Sequence, residues 1–340
     1  MIRTAIVGLG WWGKTLVESA QSNKLIRFTA ATTRSRSKAH QEFSNQHGIN
    51  LRDDYSSLIE DPDIDAILLA TPPALHRNEI IAAAEAGKHI LCEKPFTMNA
   101  KEAIEAIEAT RKAGVVLGIG YNRRFHPSWI NLRNRILGGE LGQILHIEAT
   151  MTGPNGLTLP PEAWRAQRDQ APCGGLFPMA VHAIDGMINL CGEFQEAYAY
   201  SRRAGVPNEV DDTTSMLLQM KDSTSCSITT IMATAGNFGF RVFGSKGWAY
   251  LGGQTHVAGQ SSEERRSRLF GSYIFQPLKG DALSLDVPEF DVNCAELEAF
   301  ANACSGGPDY PISLEDTLHC VSTTDAVIKS ANSGKPEYVV

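Results

Sequence analysis

The chain has no pair of cysteines at the two-residue spacing used by thiolate metal sites and redox dithiols. Its seven cysteines, at 92, 173, 191, 226, 294, 304 and 320, are odd in number and scattered. They suit neither a disulfide framework nor a zinc site, and reduced thiols in a cytoplasmic protein are expected. A basic excess is also missing: 31 Lys and Arg against 38 Asp and Glu leave a net charge of −7. That balance argues against nucleic acid or an anionic membrane as a partner. No apolar run approaches the roughly 18 residues of a membrane span. The opening Met1-Ile2-Arg3-Thr4-Ala5-Ile6-Val7 reads as a strand, not as a signal peptide. His40, His47, His146, His256 and His319 show no ligand spacing, so no metal is expected. Internal repeats and low-complexity tracts are absent. One further scarcity is local: between Glu18 and Glu42 there is no acidic residue at all.

What is present is ordinary globular material. Hydrophobic residues make up 43% and charged residues 20% of 340 positions, which fits a folded chain of about two domains. The first 120 residues alternate short β-branched runs with helical patterns, the signature of βαβ units on a parallel sheet. Strands are expected at Ile2 to Val7, Ile26 to Thr32, Ile64 to Ala70, His89 to Cys92 and Val115 to Tyr121. Helices fall between them, at Trp12 to Ser22, Ser35 to Gln46, Leu75 to Ala86 and Ala100 to Ala113. Gly48, Gly87 and Gly114 stand where a helix end needs positive φ. After Pro127 the pattern changes: a helix to Leu137, a strand from Gln143 to Met151, and a Pro- and Gly-rich stretch from Gly153 to Gly175 long enough for a loop over a site. Residues Phe194 to Leu251 alternate like an antiparallel or mixed sheet, and helices return at Asn293 to Cys304 and Ser313 to Ser333.

Gly8-Leu9-Gly10-Trp11-Trp12-Gly13 fits G-x-G-x-x-G directly after a strand and before a helix, the context a dinucleotide site requires. The glycines permit a tight turn, close approach to a pyrophosphate, and helix–strand packing, while the helix start offers free N–H groups to phosphate. About twenty residues on, where an acid would hold the ribose of NAD, stand Thr33, Arg34, Ser35 and Arg36, with Lys38 just beyond. Arginine and serine suit a 2′-phosphate, so NADP is preferred over NAD; a merely solvated basic helix start is the alternative. Ala70-Thr71-Pro72-Pro73-Ala74-Leu75-His76 and Glu93-Lys94-Pro95 lie at the C-terminal ends of consecutive parallel strands, the edge where such sheets bind ligands.

Together with Ala86-Gly87-Lys88-His89 before Glu93-Lys94-Pro95, these segments resemble the glucose-fructose oxidoreductase and inositol dehydrogenase (Gfo/Idh/MocA) family. Tyr121-Asn122-Arg123-Arg124-Phe125, Gly174-Gly175 leading to His182-Ala183-Ile184-Asp185, Gly244-Ser245-Lys246-Gly247 and Pro311-Ile312-Ser313-Leu314-Glu315-Asp316 extend the likeness over nearly the whole chain. The resemblance implies an N-terminal Rossmann doubly wound parallel sheet over residues 1–121. An α/β domain with a large, mostly antiparallel open sheet follows over 122–340, often used to form homo-oligomers, here a dimer or tetramer. The terminal helices, 293–340, are expected to fold back on the Rossmann domain. It also implies oxidation of a secondary alcohol of a sugar, cyclitol or related cyclic compound, or the reverse, with Lys94 and His182 in the catalytic positions.

Lys94 would hold the developing alkoxide and His182 would take the proton. Cofactor contacts are expected from Gly8, Gly10, Trp11, Trp12, Gly13, Thr33, Arg34, Ser35, Arg36, Ala70, Thr71, Pro72, His76, Glu93, Lys94 and Asn122. Substrate contacts are expected from Lys94, Asn122, Arg124, Trp164, Arg165, His182 and Asp185, with packing for Trp164 and surface pairing for the arginines as equal alternatives. One departure stands out. Many polyol dehydrogenases of the family carry Asp four residues before the histidine; here it is Pro178, which cannot accept a hydroxyl through its side chain and which suits a helix start there. Asp185, three residues after His182, is either an orienting carboxylate or, the favoured reading, a structural one. Tyr121 and Phe125 read as core. The competing functional readings are a dinucleotide-binding regulator or scaffold without turnover, and redox-assisted glycosidic cleavage with recycled NAD.

Overall fold

The computed structural model describes residues 1–254 and 261–340; His256 lies outside the described residues. The chain divides into two compact units, residues 1–122 with 291–317 and residues 123–290 with 318–340.

The first unit opens with β1 (Ile2–Val7), α1 (Trp11–Ser19), β2 (Ile26–Thr32), α2 (Lys38–His47), β3 (Asn50–Leu51) and α3 (Ser56–Ile59). It continues with β4 (Ala66–Leu69), α4 (Pro73–Glu85), β5 (His89–Cys92), α5 (Ala100–Ala113) and β6 (Leu117–Ile119). Every strand pair is parallel, in the order β3-β2-β1-β4-β5-β6, the doubly wound dinucleotide-binding arrangement. All four residues of β4 are buried, as a central parallel strand covered on both faces requires. Gly48 and Gly114 close α2 and α5 with φ near +67°, and Ser37 and Asn99 cap their starts by accepting from the His40 and Glu102 amides. The strand expected at Val115 to Tyr121 is confined to Leu117–Ile119. The short elements β3 and α3 carry too few residues to show a period in sequence.

The second unit holds α6 (Pro127–Leu137), β7 (Ile144–Thr152), α7 (Ala180–Cys191), β8 (Phe194–Arg202), β9 (Thr213–Met220), β10 (Ser225–Ile231), β11 (Asn237–Gly244), β12 (Gly247–Gly253), α8 (Ser262–Ser267), β13 (Ser272–Pro277) and β14 (Leu283–Leu285). The described strands form one sheet in the order β14-β13-β12-β11-β7-β10-β9-β8-β15, where β15 is Glu337–Tyr338 and only β7 with β10 runs parallel. Strand residues alternate buried and exposed, so one face packs inward and the other carries exposed Tyr200 and Leu217. On the inner side Trp129 of α6 packs edge-on to Phe240 at 4.9 Å and donates to Asn189 Oδ1 of α7 at 3.0 Å. Gly186 of α7 leaves room for it, since a Cβ there would stand 2.7 Å from the indole.

After the large sheet's main stretch the chain continues with α9 (Val292–Cys304) and α10 (Leu314–Ser333). Asp291 caps α9, accepting from the Asn293 and Cys294 amides and from Ser19 Oγ of α1, which returns this helix to the first unit. Residues 291–317 group with the first unit and residues 318–340 with the second. In the latter stretch, His319 Nε2 accepts from the Phe194 amide at 2.7 Å and Ser330 Oγ from the Ala199 amide at 2.9 Å, so the rest of α10 is fastened to β8.

Candidate cofactor and active site

The β1–α1 turn and the end of β4 flank the place where strand order reverses, the crevice in which open α/β sheets bind nucleotides. Gly8 adopts φ +99°, and a Cβ on it would lie 2.7 Å from the Ala70 carbonyl oxygen at the end of β4. At Gly13 a Cβ would stand 2.0 Å from the Gly8 carbonyl oxygen. Both glycines are therefore required by the protein's own packing. Gly10 is different: a Cβ there meets nothing within 4 Å, so the space above it is open to a ligand. Gly10 is the N-cap of α1, with no side-chain cap and no acid in the first turn, leaving the first amides and the positive end of the helix dipole for an anion. Trp11 is half exposed and stands edge-on to Trp12 at 5.3 Å. This cradle fits the pyrophosphate of a dinucleotide.

After β2, Thr33 is partly buried, whereas Arg34, Ser35 and Arg36 are exposed. The local freedom from acids does not survive folding: the Arg36 guanidinium pairs with Asp53 and also donates to the Leu51 carbonyl at 3.1 Å. Sequence spacing carries no signal for that partner, which arrives from the loop after β3. Behind this segment His40 joins two parts of the site, its Nε2 lying 3.1 Å from the Leu9 carbonyl oxygen and its Nδ1 2.9 Å from Ser37 Oγ.

At the ends of β4 and β5 the chain is held from within. Thr71 Oγ1 donates to Glu79 at 2.6 Å, and burial holds the Glu79 carboxyl above the usual carboxylate range. His76, expected beside the cofactor, has no exposed surface. Its Nε2 lies 2.9 Å from the Thr71 carbonyl oxygen and its Nδ1 3.0 Å from those of Pro95 and Phe96. It therefore spans the two ligand-facing loops and reaches a cofactor only through them. Burial pushes its pKa below the ordinary value. Lys94 is partly buried, follows the buried Glu93 and donates its amide to Glu93 Oε2 at 3.2 Å. Gly120, just past β6, makes room for that carboxyl: a Cβ would stand 3.1 Å from it. Register pairs Cys92 with Ile119, so the backbone after β6 runs beside Glu93 and Lys94. Asn122 follows, buried, donating to Asn293 Oδ1 at 2.8 Å.

In the second unit the Pro- and Gly-rich segment ends in Cys173 and Gly174, both at positive φ. At Gly174 a Cβ would stand 1.7 Å from the Asp211 carbonyl oxygen. Pro178 lies outside the helix, which starts at Ala180 behind the N-cap Met179. His182 sits in the first turn and is partly buried. Arg124 is committed to Asp185: three contacts of 2.6 to 3.0 Å join the guanidinium to both carboxylate oxygens, and both side chains are buried. This bidentate pair favours the structural reading of Asp185 and gives Arg124 a partner of its own. Trp164 packs on the Ala171, Val206 and Val210 cluster, with the Arg165 guanidinium 4.5 Å above its ring. Tyr121 is buried as expected, while Phe125 is only partly so. All seven cysteines are free thiols. Among the described residues no three His, Cys, Asp or Glu side chains converge as a metal site would need, and no helix is long and apolar enough to cross a membrane.

Residues 2–121 match the model of an oxidoreductase family with an NAD-binding Rossmann fold, and residues 129–250 match the GFO/IDH/MocA C-terminal domain. The chain belongs to the Gfo/Idh/MocA oxidoreductases. It is similar to the oxidoreductase YrbE of Bacillus subtilis, 35% identical over 201 residues that cover 58% of this chain and 56% of that protein. It is also similar to the 1,5-anhydro-D-fructose reductase of Ensifer adhaerens, 29% identical over 82% of this chain and 80% of that one. Thus the chain spans little more than half of the first of these relatives. In fold it resembles an oxidoreductase from Desulfitobacterium hafniense with a TM-score of 0.91 at 21% identity, covering 99% and 97% of the two chains.

Proposed function

We propose that this Gfo/Idh/MocA protein is an NAD(P)-dependent dehydrogenase or reductase, acting on a secondary alcohol or ketone of a sugar, cyclitol or related cyclic hydroxy compound. The observation that carries the reading is the open space over Gly10 at the sheet's switch point, together with Lys94 at the same edge two residues past the end of β5. When bound, the dinucleotide supplies the hydride acceptor or donor. The chain's own residues supply the rest. The Gly8–Gly13 turn and the first amides of α1 hold the pyrophosphate. Glu93 fixes the backbone that carries Lys94. The Lys94 ammonium steadies charge on the substrate oxygen, and His182 takes or returns the hydroxyl proton. The similarity to 1,5-anhydro-D-fructose reductase supports the substrate class.

NADP is the preferred cofactor in this reading, because Arg34, Ser35 and Arg36 remain exposed where a 2′-phosphate would lie. Asp53 tempers the preference by occupying one side of Arg36. The free thiols suit a reducing, cytoplasmic setting. The outer face of the large sheet, with Tyr198, Tyr200 and Leu217 exposed, suits a homo-oligomer. Steady-state kinetics of the wild type and of Lys94→Ala, run with both cofactors, test the proposal. The variant is expected to keep cofactor affinity and lose turnover, and NADP is expected to give the higher kcat/KM. Turnover that survives in the variant removes Lys94 from its role.

A further inference from the structure

Within the second unit a cavity of about 140 Å³ lies between the residues around Cys173, the ends of β8 and α10, and Asp211 just before β9. Its lining residues all belong to that one unit, and none is among those expected to hold cofactor or substrate. The lining includes Asp211, Ser201, Cys173, Ile328 and Ala331, with the exposed Arg168 at the edge.

Asp211 is the unusual member. Its side chain is 9% exposed, and counting hydrogens leaves it short of donors. Thr214 Oγ1 gives its hydrogen to the Cys173 carbonyl at 2.8 Å. The single hydroxyl hydrogen of Ser201 is therefore contested between Thr214 Oγ1 at 2.7 Å and Asp211 Oδ2 at 2.9 Å. Among the described residues Asp211 Oδ1 accepts no hydrogen bond, although a carboxylate has about four acceptor sites. The Arg168 guanidinium stands 3.9 Å from Oδ2, beyond hydrogen-bond reach, with 66% of its side chain in solvent. Burial and the neighbouring Asp211 charge push the Cys173 thiol up to about 11, so it stays neutral at pH 7 and adds no second anion. Packing fixes the wall that carries the carboxylate, since Gly174 lies so close that a Cβ on it would stand 1.7 Å from the Asp211 carbonyl oxygen. A buried carboxylate short of donors is costly unless a guest supplies them.

We propose that this cavity binds a small zwitterionic amino acid of the size of glycine, alanine or serine, with its ammonium on Asp211 and its carboxylate on Arg168. An ammonium brings three N–H donors to the under-served carboxylate, and the planar guanidinium fork suits a carboxylate. In an α-amino acid one carbon separates the two charged groups, so a single molecule reaches both ends of an ion pair too open to close on itself. The volume sets the size, because a cavity of about 150 Å³ takes a guest of about six non-hydrogen atoms, such as benzene, and alanine has as many. Ile328 and Ala331 give the small side chain an apolar wall. This site goes beyond the dehydrogenase reading and does not depend on it.

Calorimetric titration of the full chain with glycine, L-alanine and L-serine tests it, beside ethylamine and propionate, which carry one charge each, and L-phenylalanine, which is too large. At least one small amino acid is expected to bind with a Kd on the order of 1 mM and to raise the melting temperature. Ethylamine, propionate and phenylalanine should bind about tenfold more weakly or not at all. Arg168→Met is expected to remove the advantage of the amino acid over ethylamine, and Ala331→Met, which fills the cavity, to abolish binding. Both positions are at least partly exposed, so either variant decides the matter if Asp211→Asn fails to fold, and melting curves of the unliganded proteins show which ones do. No small amino acid bound at up to about 50 mM, ethylamine bound as tightly as the amino acids, or binding undiminished in Arg168→Met or in Ala331→Met overturns the proposal. Each of these results is independent of hydride transfer at Lys94.

Discussion

Arg124 and Asp185 meet across 61 positions of sequence through three short contacts, with 7% and 2% of their side chains exposed. Replacing one partner strands the other charge in a dry setting, and breaking a buried pair in this way costs about 3–5 kcal/mol. Asp185→Asn is therefore expected to lower the denaturant midpoint sharply. A doubly apolar variant, Arg124→Leu with Asp185→Leu, should recover much of the loss because no charge is left unmatched. Chemical denaturation of the three proteins checks this, and equal midpoints for Asp185→Asn and the wild type would remove the structural role. At this scale the sequence identifies residue types and not their partners. Arg123 and Arg124 are adjacent and chemically identical, yet one meets Asp185 and the other Phe238. Those partners come from α7 and β11, which no local spacing reveals. His76 shows the same limit: its position after Thr71-Pro72-Pro73 suggests a ligand contact, but long-range folding buries it against Pro95 and Phe96.

The glycine turn between β1 and α1 separates what the fold needs from what a ligand needs. A Cβ at Gly13 collides with the Gly8 carbonyl at 2.0 Å, whereas one at Gly10 meets no protein atom within 4 Å. Gly10 also has φ −64°, open to any residue. Gly10→Ala should then melt like the wild type yet bind dinucleotide about tenfold or more weakly, the loss of one close backbone contact with phosphate. Gly13→Ala should lose both stability and binding. Thermal melts beside cofactor titrations decide the matter, and undiminished affinity in Gly10→Ala would place the pyrophosphate elsewhere. Elements of this kind are legible in sequence because period and punctuation are local: β1, β2, β5 and α5 have the expected ends. The start of α7 is not, because Pro178 suits a first helical turn and the chain still delays the helix to Ala180.

For the molecule as a whole, the arrangement of a Rossmann sheet followed by a broad, mostly antiparallel one is readable from the change in alternation after Pro127. The division of α10 between the units is not, since it depends on His319 and Ser330 meeting the backbone of β8. The exposed row on the outer sheet face predicts association. Leu217→Glu combined with Tyr200→Glu should yield a smaller species by light scattering, with secondary structure unchanged by circular dichroism. An identical mass for both proteins would move the interface off that face.

Lys94 is the deciding residue, because the cradle around Gly10 explains cofactor binding alone, whereas a reaction requires a group at the oxygen that gains or loses charge. The most direct test follows nicotinamide absorbance with a panel of cyclic hydroxy compounds, for the wild type and for Lys94→Ala, with cofactor affinity measured on the same samples. The expected result is turnover by the wild type only, with rates reduced by about a thousandfold or more in the variant and cofactor affinity nearly equal in the two. Equal turnover in both proteins, or cofactor binding without hydride transfer to any compound by the wild type, would contradict it.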